Sequence, residues 1–233
     1  MTKTMNELII VGAGTWASEV TDFVERYNLC KIIGYAVNRD YLISDFMGRP
    51  VYPLEELENH IDKDMVKLFI SISWHQKLSD VRKAIFIDLK RRGFSFMNLI
   101  SPLAIVKSKV IGEGNWIQDA VLIGYGSVVG DGNFFLAQSV LGHYSILGNH
   151  NALAGRACIG GDCVIGDQNY LGLNTTIFNE VHIGCKNIVG GGSVLKSDIT
   201  DFTIVSATES KVKKTNEKTV EFAVSAETIK GIK

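Results

Sequence analysis

Two hydrophobic rhythms divide the sequence near residue 98. Before that point, short apolar runs alternate with amphipathic stretches of helical period. ELIIVG (7–12), KIIGYAV (31–37), MVKLFISI (65–72) and FSFMNLI (94–100) predict four strands. WASEVTDFVERY (16–27) sets Ala17, Val20, Phe23 and Val24 on one helical face. PLEELENHI (53–61) predicts a short helix opened by proline. KLSDVRKAIFIDLKRRG (77–93) predicts a longer helix with a basic last turn and a terminal glycine. Strands alternating with helices imply an α/β unit over residues 1–98, with a parallel sheet and right-handed crossovers.

Beyond it the period is six. Every sixth residue from Ile111 to Leu195 is aliphatic or Phe, fifteen positions without a slip, and the period extends back to Ile105 and Leu99. Gly follows ten of the fifteen anchors. Four residues after an anchor stands a small or modest side chain, as at Ser127, Asn133, Ser139, Ser145, Asn151, Ala157 and Cys163. Six fits a short strand plus a tight corner, and three such faces close a triangular coil. The expected fold over 99–205 is therefore a left-handed parallel β-helix of hexapeptide repeats, with the anchors stacked inside. Residues 206–233 form a polar tail with no functional reading.

Composition changes this picture little. The 233 residues are 46% hydrophobic and 21% charged, with a net charge of −1. That balance gives no single-sign field for nucleic acid or anionic lipid. With 23 Gly and only 3 Pro, the bends are expected to use glycine. No apolar run reaches membrane-spanning length and no signal peptide is recognisable, so a cytoplasmic protein is expected. Cys30, Cys158, Cys163 and Cys185 show no C-x-x-C spacing and read as reduced packing residues. No histidines pair with a carboxylate at ligand spacing, so no metal site is expected.

Candidate chemistry follows from the stack. If a coil holds eighteen residues, i and i+18 lie about 4.8 Å apart. His143 then stacks on Gly161, with Asn179 beyond, and faces outward at a corner. An exposed imidazole beside a backbone N–H that no side chain covers is a base next to an oxyanion donor. His150 lies at a different corner with Gln168 stacked on it and no glycine platform. His182 reads as structural, and His60 and His75 belong to the first unit. At the start, VGAGTWA (11–17) puts Gly12 and Gly14 between a strand and a helix, the context of a phosphate-binding turn. The second strand ends on Val37 and Asn38 without an acidic residue, which favours a nucleotide sugar's diphosphate over NAD.

A small Rossmann-like domain followed directly by a hexapeptide β-helix resembles the bacterial sugar acyltransferases of the sialic acid O-acetyltransferase group. That group includes the bacillosamine-type nucleotide 4-amino-sugar N-acetyltransferases. The resemblance spans about residues 6–205 and rests on LIIVGAG, FMNLISPLAIV (96–106), SVLGHYSILGN and NIVGGGSVLKSDITDFTIV (187–205). It implies a homotrimer that uses acetyl-CoA on a nucleotide-linked amino sugar. His143 is the implied base and Gly161 the implied oxyanion donor. Acyl-CoA contacts fall at Gly161, Leu173 and Gly191, and nucleotide-sugar contacts at Gly14, Thr15, Trp16 and Ser73, beside the Gly12 turn. Tyr144 stands where the family often has Glu, Ala152 replaces a second His, and SATES (206–210) replaces Gly-x-Pro-Ala. Sugar O-acetylation and a catalytically retired trimeric scaffold are the competing functions.

Overall fold

The computed structural model describes residues 6–73 and 77–208. His75 and the tail from 209 lie outside the described residues. The chain opens with β1 (Glu7–Val11), α1 (Thr15–Arg26), β2 (Lys31–Val37), β3 (Asp45–Phe46), β4 (Arg49–Pro53), β5 (Val66–Ile70) and α2 (Lys77–Arg91). These form one sheet of order β3-β4-β2-β1-β5, parallel except for the β3–β4 hairpin. Alternate residues of β1 serve opposite faces. Leu8 and Ile10 pack with Ala17, Val20, Phe23 and Val24 of α1, while Ile9 and Val11 pack with Phe86 and Leu89 of α2.

Three sequence expectations need correction here. β4 was not foreseen, because its five residues include two prolines and no alternation. It follows a turn in which Met47 and Gly48 both take positive φ, the geometry of a tight hairpin. The helix expected at 53–61 is a 3₁₀ segment, Leu54–Asn59, broken at Glu56. Of FSFMNLI, only Phe96 bridges to β5, while Leu99–Ile100 opens the following solenoid.

That solenoid is a parallel β-helix. Two-residue strands stack into three sheets, each strand between the ends pairing with the one eighteen residues on, as Val140 with Cys158 and Ile146 with Val164. The anchors Ile117 to Leu195 form a continuous buried column. The register slips at both ends. Ile100 and Val106, rather than Leu99 and Ile105, lie in register with Ile117 and Ile123, so the first coil is one residue short. Ile105 is accordingly 55% exposed, and Leu99 faces the first unit instead. After Leu195 the inward seats pass to Ile199 and Val205.

The glycines after the anchors do not make the corners. Positive φ recurs every six residues from Gly114 to Gly192, and the residues from Gln138 to Lys186 at this seat are all non-glycine. What the anchor-following glycines supply is close approach. A Cβ on Gly142 would lie 2.2 Å from the Gly160 carbonyl oxygen of the next coil.

Inside another corner runs an amide ladder. Asn98, Asn115, Asn133, Asn151 and Asn169 each accept, through Oδ1, the backbone N–H of the next asparagine, ending at Asn187. These buried donors sit where neither strand nor water reaches them, so a side chain must satisfy each one. The β-helix docks on the first unit through Leu99, Trp116, Phe134 and Ala152, outward residues of one face that join the α1 core. Among the described residues no helix is long and apolar enough to cross a membrane.

Candidate active site

The corner after Leu141 carries the candidate base. Its strand, Val140–Leu141, is held between neighbouring coils, and the backbone beyond the Leu-Gly pair swings outward. His143 is thereby fixed in the rung while its side chain stays 56% exposed. The ring lies over Gly161, where an added Cβ would stand 2.3 Å from His143 Cε1 and 2.6 Å from Nε2. Only glycine at 161 leaves room for this seat. The eighteen-residue stack therefore brings together the two residues that the sequence paired.

The Gly161 N–H is not open as expected. It donates to Asn179 Oδ1 at 3.0 Å, from one coil further on. Asn179 is exposed, so its amide can turn away without disturbing the core. Tyr144, the residue after His143, leans the other way. Its ring lies over Gly126 and meets Tyr125 edge-on at 5.8 Å.

Leu173 and Gly191 also come together. Gly192 N–H donates to the Leu173 carbonyl at 2.7 Å, and a Cβ on Gly191 would meet that oxygen at 3.1 Å. Leu173 is exposed. This pair follows strands of a different sheet from those that lead to His143 and Gly161, so the two pairs occupy different edges of the prism.

The Gly-rich turn lies at the end of β1. Gly12 has φ +117, and its N–H donates to the Ala36 carbonyl at 2.8 Å. A Cβ there would meet Ser71 Oγ at 2.7 Å, so close strand packing already requires this glycine. Gly14 caps α1 without a side-chain hydrogen bond and has open space where a Cβ would be. Thr15 begins the helix. The Trp16 ring turns inward, stacked on Phe134 at 6.3 Å and edge-on to Trp116 at 5.8 Å. Ser73 is half-buried just after β5.

The other histidines separate clearly. His150 does have a glycine platform, contrary to expectation. Its ring lies over Gly132 of the preceding coil, and the residue is only 4% exposed. It packs edge-on against Phe86, and its carbonyl accepts Arg82 Nη2 at 2.7 Å. Arg82 is itself buried, with its guanidinium 4.3 Å above Phe134. Burial, then the Arg82 and Lys83 charges, push the His150 pKa down to about 4, against a weaker opposite pull from Asp167. His150 is a neutral wedge between the first unit and the β-helix. A cavity of about 10 Å³ lies beside it, and a cleft of about 150 Å³ separates α1 from the β-helix near Asp119. Neither is lined by His143. His182 is exposed, 3.7 Å from Asp198, and His60 lies against Tyr52. Cys163 is buried as expected, but Cys158 is exposed on its strand and is not a packing residue.

Neither a family model nor a curated relative matches the chain. Solved structures do. The acetyltransferase domain of PglB from Neisseria gonorrhoeae is 22% identical, with a TM-score of 0.74 over 85% of this chain and 95% of that one. That domain has also been solved with acetyl coenzyme A. PerB from Caulobacter crescentus, in complex with CoA and GDP-perosamine, is 24% identical, with a TM-score of 0.74 over 89% and 97% of the two chains. WeeI from Acinetobacter baumannii is 21% identical, with a TM-score of 0.72 over 85% and 96%. The resemblance drawn from sequence motifs and the structural likeness thus point the same way, and the chain has the fold of these structures.

Proposed function

We propose that the chain is an acyl-CoA-dependent N-acetyltransferase acting on the amine of a nucleotide-linked amino sugar. The observation that carries this reading is the His143 imidazole seated on Gly161 at an exposed corner of the β-helix. The fold shared with CoA-bound structures supports it. Acetyl-CoA, when bound, supplies the thioester carbonyl. His143 Nε2 accepts the proton that the sugar amine loses as its nitrogen bonds to that carbon. The proton then leaves with the CoA sulfur as thiol. The Gly161 N–H serves the developing negative oxygen once Asn179 Oδ1 turns off it.

Leu173 and Gly191 hold the rest of the acyl donor, and their position on a different edge supports a site shared between two subunits. In a homotrimer, one chain's His143 edge lies beside its neighbour's Leu173 edge, and the donor runs between them. Residues 1–98 act as a Rossmann-like nucleotide-sugar domain through Gly12, Gly14 and Thr15, the Trp16 backbone and Ser73. Residues 99–205 form the transferase domain of a cytoplasmic protein.

Purified protein mixed with acetyl-CoA and a panel of nucleotide amino sugars is expected to give a product 42 mass units heavier than its acceptor, roughly one acetyl in place of hydrogen. His143→Ala should lower turnover about 10²–10⁴-fold. Unchanged turnover would remove His143 from the mechanism, and no turnover with any acceptor would favour the scaffold reading. Light scattering should report a trimer.

A further inference from the structure

We propose that Asp162 is the carboxylate that orients His143, supplied from the next coil rather than from the residue after the histidine. This rests on the reading of His143 as the base. Asp162 Oδ2 lies 3.5 Å from His143 Nδ1, and both side chains are about half exposed. Their backbones are locked together, since Asp162 N–H donates to the His143 carbonyl at 2.8 Å. Asp162 takes the left-handed corner seat, φ +58, which points its short side chain along the corner toward the ring above Gly161. Tyr144 cannot do this work, because its ring is committed to Gly126 and Tyr125.

An Asp at Nδ1 has two effects. It holds the proton on Nδ1, leaving the Nε2 lone pair for the acceptor amine, and it stabilises the imidazolium formed when that proton arrives. The separation is that of an ion pair rather than a full hydrogen bond, and it shortens as the ring charges. The titratable groups facing the ring are few. Tyr144 meets it edge-on at 5.7 Å, with Tyr125 behind. Glu180 stacks one coil beyond Asp162, its N–H donating to the Gly161 carbonyl. Asp162 is therefore the nearest charge to the imidazole.

The test is the tautomer of the His143 ring in the full chain, read at alkaline pH from its ring 15N NMR shifts and assigned by their loss in His143→Asn. In wild type the proton should sit on Nδ1. Asp162→Asn suits the left-handed seat and removes only the charge, while Asp162→Gly, equally at home at positive φ, removes the acceptor altogether and covers a folding defect in the first variant. Both should move the ring toward the Nε2–H form, Asp162→Gly further. In the transfer assay, Asp162→Asn should lower kcat about three- to tenfold, less at high salt, with KM for acetyl-CoA nearly unchanged. An unmoved His143 tautomer in both variants would overturn the proposal whether or not the protein transfers acyl groups. If the tautomer moves while wild type and His143→Ala turn over alike, the pairing stands and the catalytic reading of His143 fails.

Discussion

His150 makes a quantitative forecast about acid stability. Its ring is buried between Gly132 and Phe86, and Nδ1 has no hydrogen-bond partner among the described residues. In the unfolded chain it titrates near 6.5, and in the folded protein near 4. Above pH 6.5 the histidine is neutral in both states and its contribution is intact. As pH falls from 6.5 to 4, only the unfolded state takes up the proton, and stability drains away until the folded ring protonates too. The difference of about 2.5 units is worth about 3 kcal/mol at about 1.4 kcal/mol per unit. His150→Asn is the clean perturbation, because Asn tolerates the φ of +57 at this corner and does not titrate. The variant will be less stable at pH 7, having lost the ring's packing. The decisive quantity is the slope. Between pH 7 and 4, urea unfolding should show the wild type losing about 3 kcal/mol more than His150→Asn, with the carboxylates cancelling in the comparison. Parallel stability curves would refute the idea of a buried neutral imidazole.

Gly161→Ala should push the His143 ring off its seat, given the 2.3 Å approach to Cε1, and cut acyl transfer at least about 10²-fold in a steady-state assay while thermal melting changes little. Asn179→Ala should free the Gly161 N–H, so kcat should hold or rise; a large fall would assign Asn179 a direct role instead. Asn151→Ala removes the acceptor for both Asn169 N–H and Nδ2 and should cost about 2–3 kcal/mol by denaturant unfolding, with no change in secondary structure by circular dichroism.

Much of the fold was legible because its signals are periodic. Fifteen anchors at one spacing leave little room for another architecture, and the eighteen-residue stack carried His143 to Gly161 without coordinates. What escaped lies where the period ends or where a second body intrudes. The one-residue slip between Val106 and Ile111 is invisible when Ile105 and Val106 are both aliphatic. The burial of Trp116 and Phe134 follows from the docked first unit and not from the repeat. Reading Gly as the corner-former held only at Gly114, Gly126, Gly132 and Gly192, because left-handed backbone is tolerated at the other seats by Gln, Arg and Lys alike. Asp162 was readable in principle, since it follows Gly161 and stacks beside His143, but the eye looks for a catalytic partner next door in sequence.

The repeated left-handed seat has a consequence for how such a protein changes. Gln138, Tyr144, His150, Arg156, Asp162, Gln168, Asn174, Glu180 and Lys186 hold one backbone pose with nine side chains of almost every polar character. The seat fixes where a group stands and leaves open which group it is. Three edges and a rise of about 4.8 Å per coil make the prism a coordinate grid. A charge can be moved one step along an edge by exchanging residues eighteen apart, and the backbone need not follow. Chemistry on this scaffold is therefore free to migrate in increments of one coil.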